Sequence, residues 1–204
     1  IPFTEGDGDY TVVGYQQIQG DQYAALYSET LAVELENEFL PFLYPNQYVN
    51  FSPDSEASKL ALSMVSENTS DIDALKQIYN YVVNNLSYDY DKAETVETGY
   101  LPDVDETLST KTGICSDYAA LTTAMLRSCD IPCKLQIGYT GDIKHAWIDV
   151  YIRSKGWVTN AVSFNGDSWS LMDPTFDSSA DSDDSEAIQD YIGNADNYTV
   201  QFTR

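Results

Sequence analysis

The chain has 204 residues, of which 43% are hydrophobic and 13% aromatic, a composition typical of one folded domain with a sizeable core. Its formal net charge of −23 argues against nucleic acid and anionic membrane as partners, and leaves lysine-rich protein or peptide substrates open. Three cysteines are too few for a disulfide framework, and no apolar run is long enough for membrane insertion.

Residues 1–69 are predicted to form an N-terminal extension made mainly of helices. Residues 1–20 are rich in Gly and Asp and read as an irregular lead-in. A helix is predicted from Asp21 because bulky residues recur every four positions, at Tyr23, Tyr27, Leu31, Leu35 and Phe39. Pro41 is expected to end it, and a second helix is predicted after Pro53.

The third helix is predicted to begin at Ser70, where Ser70-Asp71-Ile72-Asp73 resembles a capping box with Asp in place of Glu or Gln. Its apolar face consists of Ile72, Leu75, Ile78, Tyr79, Val82 and Leu86. The segment 91–112 is long and polar, which predicts a loop, and a long loop inside a compact domain is often functional. Because this loop leads directly into Gly113, we interpret it as one wall of a substrate cleft.

A strongly helical segment, residues 116–129, follows Gly113-Ile114-Cys115. Cys115 is therefore expected at a helix N-terminus, where free N–H groups and the macrodipole favour an anion. Such a position can lower a thiol pKa from ~8.5 to roughly 3.5–7.5. Gly113 is expected to allow a close backbone approach and a φ that other residues resist. The alternative for Cys115 is a buried structural cysteine.

Alternating residues predict strands in the second half of the chain, at 134–139, around His145, at 157–164, around Trp169 and at 198–202. Asn165-Gly166 is a strong hairpin signal between two of them. These strands predict an antiparallel sheet of roughly four or more members packed on the cysteine helix, an α+β arrangement. The acidic residues 177–185 favour a solvated loop over a calcium site, before a short helix near 186–192.

Three residue types then complete a catalytic pattern. His145, the one histidine, lies on a strand with two different faces, and Asp173 ends the neighbouring strand, which Pro174 stops. A cysteine at a helix N-terminus, a histidine on a strand and an aspartate on the next strand form a set of nucleophile, base and orienting group.

Several short motifs occur in order: Gly113-Ile114-Cys115, Ile131-Pro132, Gly138-Tyr139, His145-Ala146-Trp147 and Trp169…Asp173-Pro174-Thr175. Together, over about residues 70–177, they resemble the transglutaminase-like superfamily of papain-like cysteine enzymes. That family usually has Gly before the Ile-Pro pair. Here the residue is Asp130, which we expect as a left-handed cap after the helix.

The resemblance implies a Cys115–His145–Asp173 triad that acts on peptide or side-chain amide bonds through a thioester on Cys115. Hydrolysis, as in a protease or amidase, is slightly favoured over amine transfer, that is, protein cross-linking. The Cys115 N–H is one expected oxyanion donor, and the second is left open between Tyr88 and Tyr100. Trp147 is a further residue expected at the cleft.

No cofactor is expected, and no metal is expected either, because Cys129, Cys133 and His145 lack the paired spacing of a zinc site. The alternative to an enzyme is a non-catalytic protein- or peptide-binding module on the same fold. We predict one domain over residues 1–204, with the motif-bearing core at 70–177 and a C-terminal helix and strand at 178–204. Because the chain begins with Ile1, we expect that an N-terminal piece was removed, and we expect an extracellular or cell-surface location.

Overall fold

The structure is a computed structural model that describes residues 2–97, 99–164, 169–171 and 198–204. The helices in these ranges are α1 (Glu56–Met64), α2 (Asp71–Asn85), α3 (Tyr90–Thr95), α4 (Val104–Thr110) and α5 (Cys115–Ser128). The strands are β1 (Gly8–Gln19), β2 (Gln22–Val33), β3 (Ser87–Tyr88), β4 (Thr112–Gly113), β5 (Cys133–Thr140), β6 (Ile143–Ile152), β7 (Gly156–Phe164), β8 (Trp169–Leu171) and β9 (Tyr198–Thr203). Asp173, the Asn165-Gly166 turn, the acidic segment and the helix expected near 186–192 lie outside the described residues.

Helix α5 packs on a five-stranded antiparallel sheet with the order β8-β7-β6-β5-β9. The face of β6 that meets the core consists of small and aliphatic residues, each no more than 4% exposed: Ala146, Ile148, Val150 and Ile152. In α5, the positions from Asp117 to Arg127 are all buried. The predicted α+β fold, with the cysteine helix packed on an antiparallel sheet, is confirmed.

The helix predicted after Pro53 is present as α1, and the helix predicted from Ser70 is present as α2. Ser70 is the N-cap of α2, and its hydroxyl accepts a hydrogen bond from the Asp73 N–H at 3.2 Å. The Asp73 carboxylate accepts a hydrogen bond from the Ser70 hydroxyl at 2.7 Å rather than from the Ser70 N–H, so only the Ser70 half of the predicted capping box forms. None of the helices within the described ranges is long and apolar enough to cross a membrane.

The helix predicted from Asp21 is wrong, because this region forms the hairpin of β1 and β2. The reason is that residues four apart share a face in a strand as well as in a helix, so the spacing of Tyr23, Tyr27 and Leu31 fits both. The turn is Gly20-Asp21, a two-residue hairpin signal, and Gly20 has φ +52°. Most large side chains of this hairpin are exposed, among them Tyr15 (64%), Ile18 (67%) and Leu26 (69%).

The long loop expected at residues 91–112 instead contains the short helices α3 and α4. Two aspartates in or just before this polar segment are helix caps: Asp89 accepts from the Lys92 N–H at 2.9 Å, and Asp103 accepts from the Glu106 N–H at 3.0 Å. An aspartate that satisfies the first free N–H groups of a helix looks the same in sequence as an aspartate in a loop.

Helix α5 ends in the left-handed cap that the sequence predicted, since Asp130 has φ +56°. The Ile131 N–H donates to the Leu126 carbonyl and the Asp130 N–H to the Arg127 carbonyl, both at 3.1 Å, which is the Schellman arrangement. Arg127 itself is 2% exposed and donates to the main-chain carbonyls of Cys133, Tyr44 and Arg204 at 2.8–3.0 Å. This end of α5 is therefore held to β5, to the loop before α1 and to β9.

Candidate active site

Cys115 is the first residue of α5, and its sulfur lies beside main-chain N–H groups from two elements. Those groups belong to Cys115 and Ser116 at the helix start and to Ala146 on β6. Since Ala146 directly follows His145, the register of β6 brings the histidine to the beginning of the cysteine helix. The predicted location of Cys115 at a helix N-terminus is confirmed.

The low pKa expected for the Cys115 thiol is not found in the structure. Burial raises the pKa of the thiol, and the negative charge of Asp117 adds to this effect. The N–H groups of Ala146, Ser116 and Cys115 lower the pKa but do not outweigh burial. The helix N-terminus therefore acts on a partly buried side chain, and the thiol form is favoured.

His145 lies on β6 opposite Gly138 of β5 and is 6% exposed. Burial lowers the pKa of its imidazole to about 4, so the neutral ring is the stable form at pH 7. Within the described residues, Nε2 is buried without a hydrogen-bond partner.

Cys115 and His145 both line one cleft of about 220 Å³, which we call the Cys115 cleft. Its walls come from β3, the region of α3, the start of α5, β5 and β6. They consist of Tyr88, Ala93, Val96, Tyr100, Ile114, Ser116, Ile137, Lys144 and Ala146 in addition to the cysteine and histidine. Three of these residues, Ala93, Val96 and Tyr100, come from the segment that the sequence predicted as a cleft wall.

The two tyrosines that sequence left open as oxyanion donors have different surroundings. Tyr88 precedes α3, and the parallel pairing of β3 with β4 brings it beside the cysteine, where the Cys115 N–H donates to its hydroxyl. The Tyr100 hydroxyl instead donates to Asp117 Oδ1 at 2.6 Å and accepts from Lys92 Nζ at 2.7 Å. Trp147 does not line the cleft; it is 1% exposed and stacks behind His145 at 6.2 Å between ring centroids.

Sequence reasoning missed Asp117, which has no exposed surface and accepts three hydrogen bonds. They come from the Ile114 N–H (2.8 Å), Lys92 Nζ (2.8 Å) and the Tyr100 hydroxyl (2.6 Å). Asp117 also explains Gly113, because a Cβ on Gly113 would lie 2.6 Å from the Asp117 Cβ. The close approach expected at Gly113 is therefore confirmed, whereas the unusual φ is wrong, because Gly113 is not among the glycines with positive φ.

Burial also raises the pKa of the other two cysteines, to about 11 for Cys129 and to about 12 for Cys133. All three cysteines are free thiols. In the part of the chain that the structure describes, no group of three or more His, Cys, Asp or Glu residues could hold a metal ion.

Comparisons with known proteins give one family match. The family model described as the transglutaminase-like superfamily matches residues 58–174, which is more than half of the chain and includes Cys115, His145 and Asp173. The uncharacterized protein YebA of Bacillus subtilis is 24% identical over 181 residues, covering 78% of this chain and 24% of that protein. A UPF0252 protein of Methanocaldococcus jannaschii is 42% identical over 57 residues, covering 26% of this chain and 16% of that protein.

Among solved structures, a candidate cysteine protease of Cytophaga hutchinsonii is similar at a TM-score of 0.49 with 16% identity, covering 74% of this chain and 63% of that chain. The chain thus spans about a quarter of the length of YebA and about a sixth of the length of the Methanocaldococcus protein.

We predict that His145 makes folding stability depend on pH between 6.5 and 4. Its pKa is about 4 in the folded protein against 6.5 for an exposed histidine, so the unfolded chain binds this proton more tightly. The stabilisation is complete above pH 6.5 and is lost as the pH falls toward 4. It amounts to about 3 kcal/mol, because a tenfold difference in proton affinity is worth about 1.4 kcal/mol.

The measurement compares urea unfolding of wild type and His145→Gln at pH 7 and pH 4. Carboxylates titrate in both proteins, so the difference between them isolates the imidazole, and His145 is the one histidine in the chain. Wild type should lose about 3 kcal/mol more than the variant over this range. Equal losses in the two proteins would contradict a strongly depressed histidine pKa.

Proposed function

Because the chain belongs to the transglutaminase-like superfamily, we propose that it is a cysteine enzyme that cleaves peptide or side-chain amide bonds through a thioester on Cys115. The observation that carries this proposal is that Cys115 and His145, which come from distant parts of the sequence, line the same cleft. Backbone N–H groups at the sulfur add a means of stabilising negative charge there.

The first half of the reaction forms the thioester. The Cys115 sulfur attacks the amide carbonyl carbon while its proton passes to the imidazole of His145. His145 then gives this proton to the departing nitrogen, and the C–N bond breaks. Both side chains favour their neutral forms, so proton transfer accompanies the attack rather than preceding it.

The second half regenerates the enzyme. Water attacks the thioester, His145 accepts a proton from it, and the S–C bond breaks to return the thiol and release a carboxylic acid. If a primary amine attacks instead, the product is a new amide. We propose hydrolysis as the main outcome, because transfer requires the cleft to exclude water, and no stretch of the sequence identifies a path for an amine.

Asp173 is proposed to orient His145. It lies within the family match and follows Leu171 of β8, which belongs to the same sheet as the histidine strand. A carboxylate that accepts from one imidazole nitrogen would fix the tautomer and leave the other nitrogen free to receive the thiol proton.

Tyr88 is proposed as the second oxyanion donor, beside the Cys115 N–H. Burial raises the pKa of Tyr88, so its hydroxyl stays protonated and able to donate at neutral pH. The Tyr100 hydroxyl is already committed to Asp117. A substrate carbonyl entering the cleft would take over the Cys115 N–H that now donates to Tyr88, and the phenol proton could then turn to the same oxygen.

The proposed substrates are proteins or peptides, and the net charge of −23 would attract lysine-rich ones. The extracellular or cell-surface location stays a prediction from the sequence.

The proposal is tested by incubating the protein with a substrate protein that carries accessible glutamines, together with a labelled primary amine. We expect peptide cleavage or ammonia release to exceed incorporation of the label. Cys115→Ala should abolish both activities, and Cys129→Ala, a change at the far end of α5, should keep them. Label incorporation in excess of cleavage would contradict hydrolysis. Absence of both activities across varied substrates would favour the non-catalytic binding module.

A second prediction concerns the oxyanion. Tyr88→Phe should lower kcat by roughly ten- to a hundredfold with little change in KM, because the donated hydrogen bond strengthens only in the transition state. Tyr44→Phe is the matched control, since that tyrosine is 63% exposed and lies outside the Cys115 cleft. Equal kcat values for Tyr88→Phe and wild type would remove Tyr88 from the mechanism.

A third prediction concerns Asp173. The Asp173→Asn change keeps the shape but removes the charge that supports the imidazolium, so turnover should fall roughly ten- to a thousandfold. The melting temperature should change little. Wild-type turnover in this variant would show that Asp173 has a structural role.

A further inference from the structure

A buried ion pair lies directly behind the Cys115 cleft. Lys92 on α3 donates to Asp117 Oδ2 at 2.8 Å, and Tyr100 donates to Oδ1 at 2.6 Å. The same Oδ2 accepts from the Ile114 N–H, at the N-cap of α5. One carboxylate thus joins the start of the cysteine helix to the segment that forms the opposite cleft wall.

The pair differs from the other ion pairs of the described residues in its burial. The Asp117 side chain has no exposed surface, and that of Lys92 is 31% exposed. Lys59–Glu56 on α1 has the same 2.8 Å separation, with side chains 53% and 71% exposed. A buried carboxylate without a counter-charge is strongly unfavourable, so Asp117 requires Lys92 in a way that Glu56 does not require Lys59.

Asp117 is also close enough to Cys115 to act on its ionisation. Among the described residues, the charged and titratable groups around the thiol are Asp117 on its own helix, His145 and Lys144 on β6, Tyr88 on β3 and Tyr100 after α3. Lys92 lies behind Asp117 and opposes its charge. Burial lowers the pKa of this lysine, but its hydrogen bonds to Asp117 and Tyr100 outweigh burial, so the pKa is raised and the ammonium stays charged.

We infer that Lys92 and Asp117 are a positioning pair for Cys115, which fixes the start of α5 against α3 and keeps the net charge behind the sulfur near zero. This inference rests on the proposed function in one respect, namely that Cys115 is the nucleophile. Neither residue touches the reacting atoms. Their effect reaches the reaction through the orientation and ionisation of the thiol.

The two members of the pair should change the Cys115 pKa in opposite directions, which purely structural support would not do. Removing one member of the pair leaves the charge of the other near the sulfur. Asp117→Asn keeps the shape and an acceptor for the Ile114 N–H but leaves Lys92 positive, so the Cys115 pKa should fall. Lys92→Met keeps the length of the side chain but leaves Asp117 negative, so the Cys115 pKa should rise.

The experiment measures the rate of iodoacetamide labelling of Cys115 from pH 6 to pH 11 by peptide mass spectrometry. We expect the midpoint to move down by about one pH unit in Asp117→Asn and up by about one in Lys92→Met. The double variant should return toward wild type, because both charges are then absent. Lys59→Met, which breaks the exposed pair of equal length, should leave the midpoint unchanged.

Two results would overturn the inference. One is a shift in the same direction in both single variants. The other is a folded Asp117→Asn whose midpoint lies within about 0.2 pH units of wild type, which is about the resolution of such a titration. Folding is checked by near-ultraviolet circular dichroism. Lys92→Met leaves a buried carboxylate unpaired and is the variant at risk of not folding. Asp117→Asn then decides the question alone, since it leaves no unpaired carboxylate.

The labelling assay needs no substrate, so its result is separate from the test of enzymatic activity. Opposite shifts in an inactive protein would support the pair and contradict the proposed reaction. Turnover without opposite shifts would support the reaction and contradict the pair.

Discussion

A carboxylate without exposed surface stands at the start of helix α5, and the arrangement of the Cys115 cleft depends on how its charge is satisfied. Asp117 takes the Ile114 N–H, which would otherwise be a free donor at the helix start, and draws Lys92 and Tyr100 toward the same point. Its Cβ occupies the space above residue 113, which therefore must be glycine. One buried charge therefore accounts for the glycine at position 113 and for the contact between α3 and the start of the cysteine helix.

The longer elements that contact the core are those that the sequence could predict, whereas the short helix α4, which adds Val104 to the core, was predicted as a loop. The β6 face of Ala146, Ile148, Val150 and Ile152 alternates in sequence because it is pressed against α5, and a two-residue period has no helical equivalent. The β1–β2 hairpin has no such constraint on its side chains, most of which are exposed. Its four-residue spacing fits both kinds of element, and the turn at Gly20-Asp21 is the signal that distinguishes them.

The candidate site is predictable in its residue order but not in its electrostatics. Cys115 before a helix and His145 on a strand can be read from local patterns, and the structure brings both to one cleft. Their pKa values depend on burial by β5, β6 and α3, which no local pattern specifies. Asp117 lacks a sequence signal for a different reason. Its cap partner is Ile114 rather than Ser or Thr, and Lys92 is 25 positions away.

A weakly basic imidazole also bears on the choice between water and an amine as acceptor. A lysine side chain with a pKa near ~10.4 is unprotonated in only roughly one molecule in two thousand at pH 7. An imidazole with a pKa of about 4 is a weak base toward either acceptor, but water is already in its nucleophilic form, whereas the ammonium must first lose a proton. Transfer to lysine therefore requires the cleft to lower the pKa of the amine itself. The apolar side chains of Val96 and Ile137 are the parts of the wall that would do so, by removing the ammonium from water.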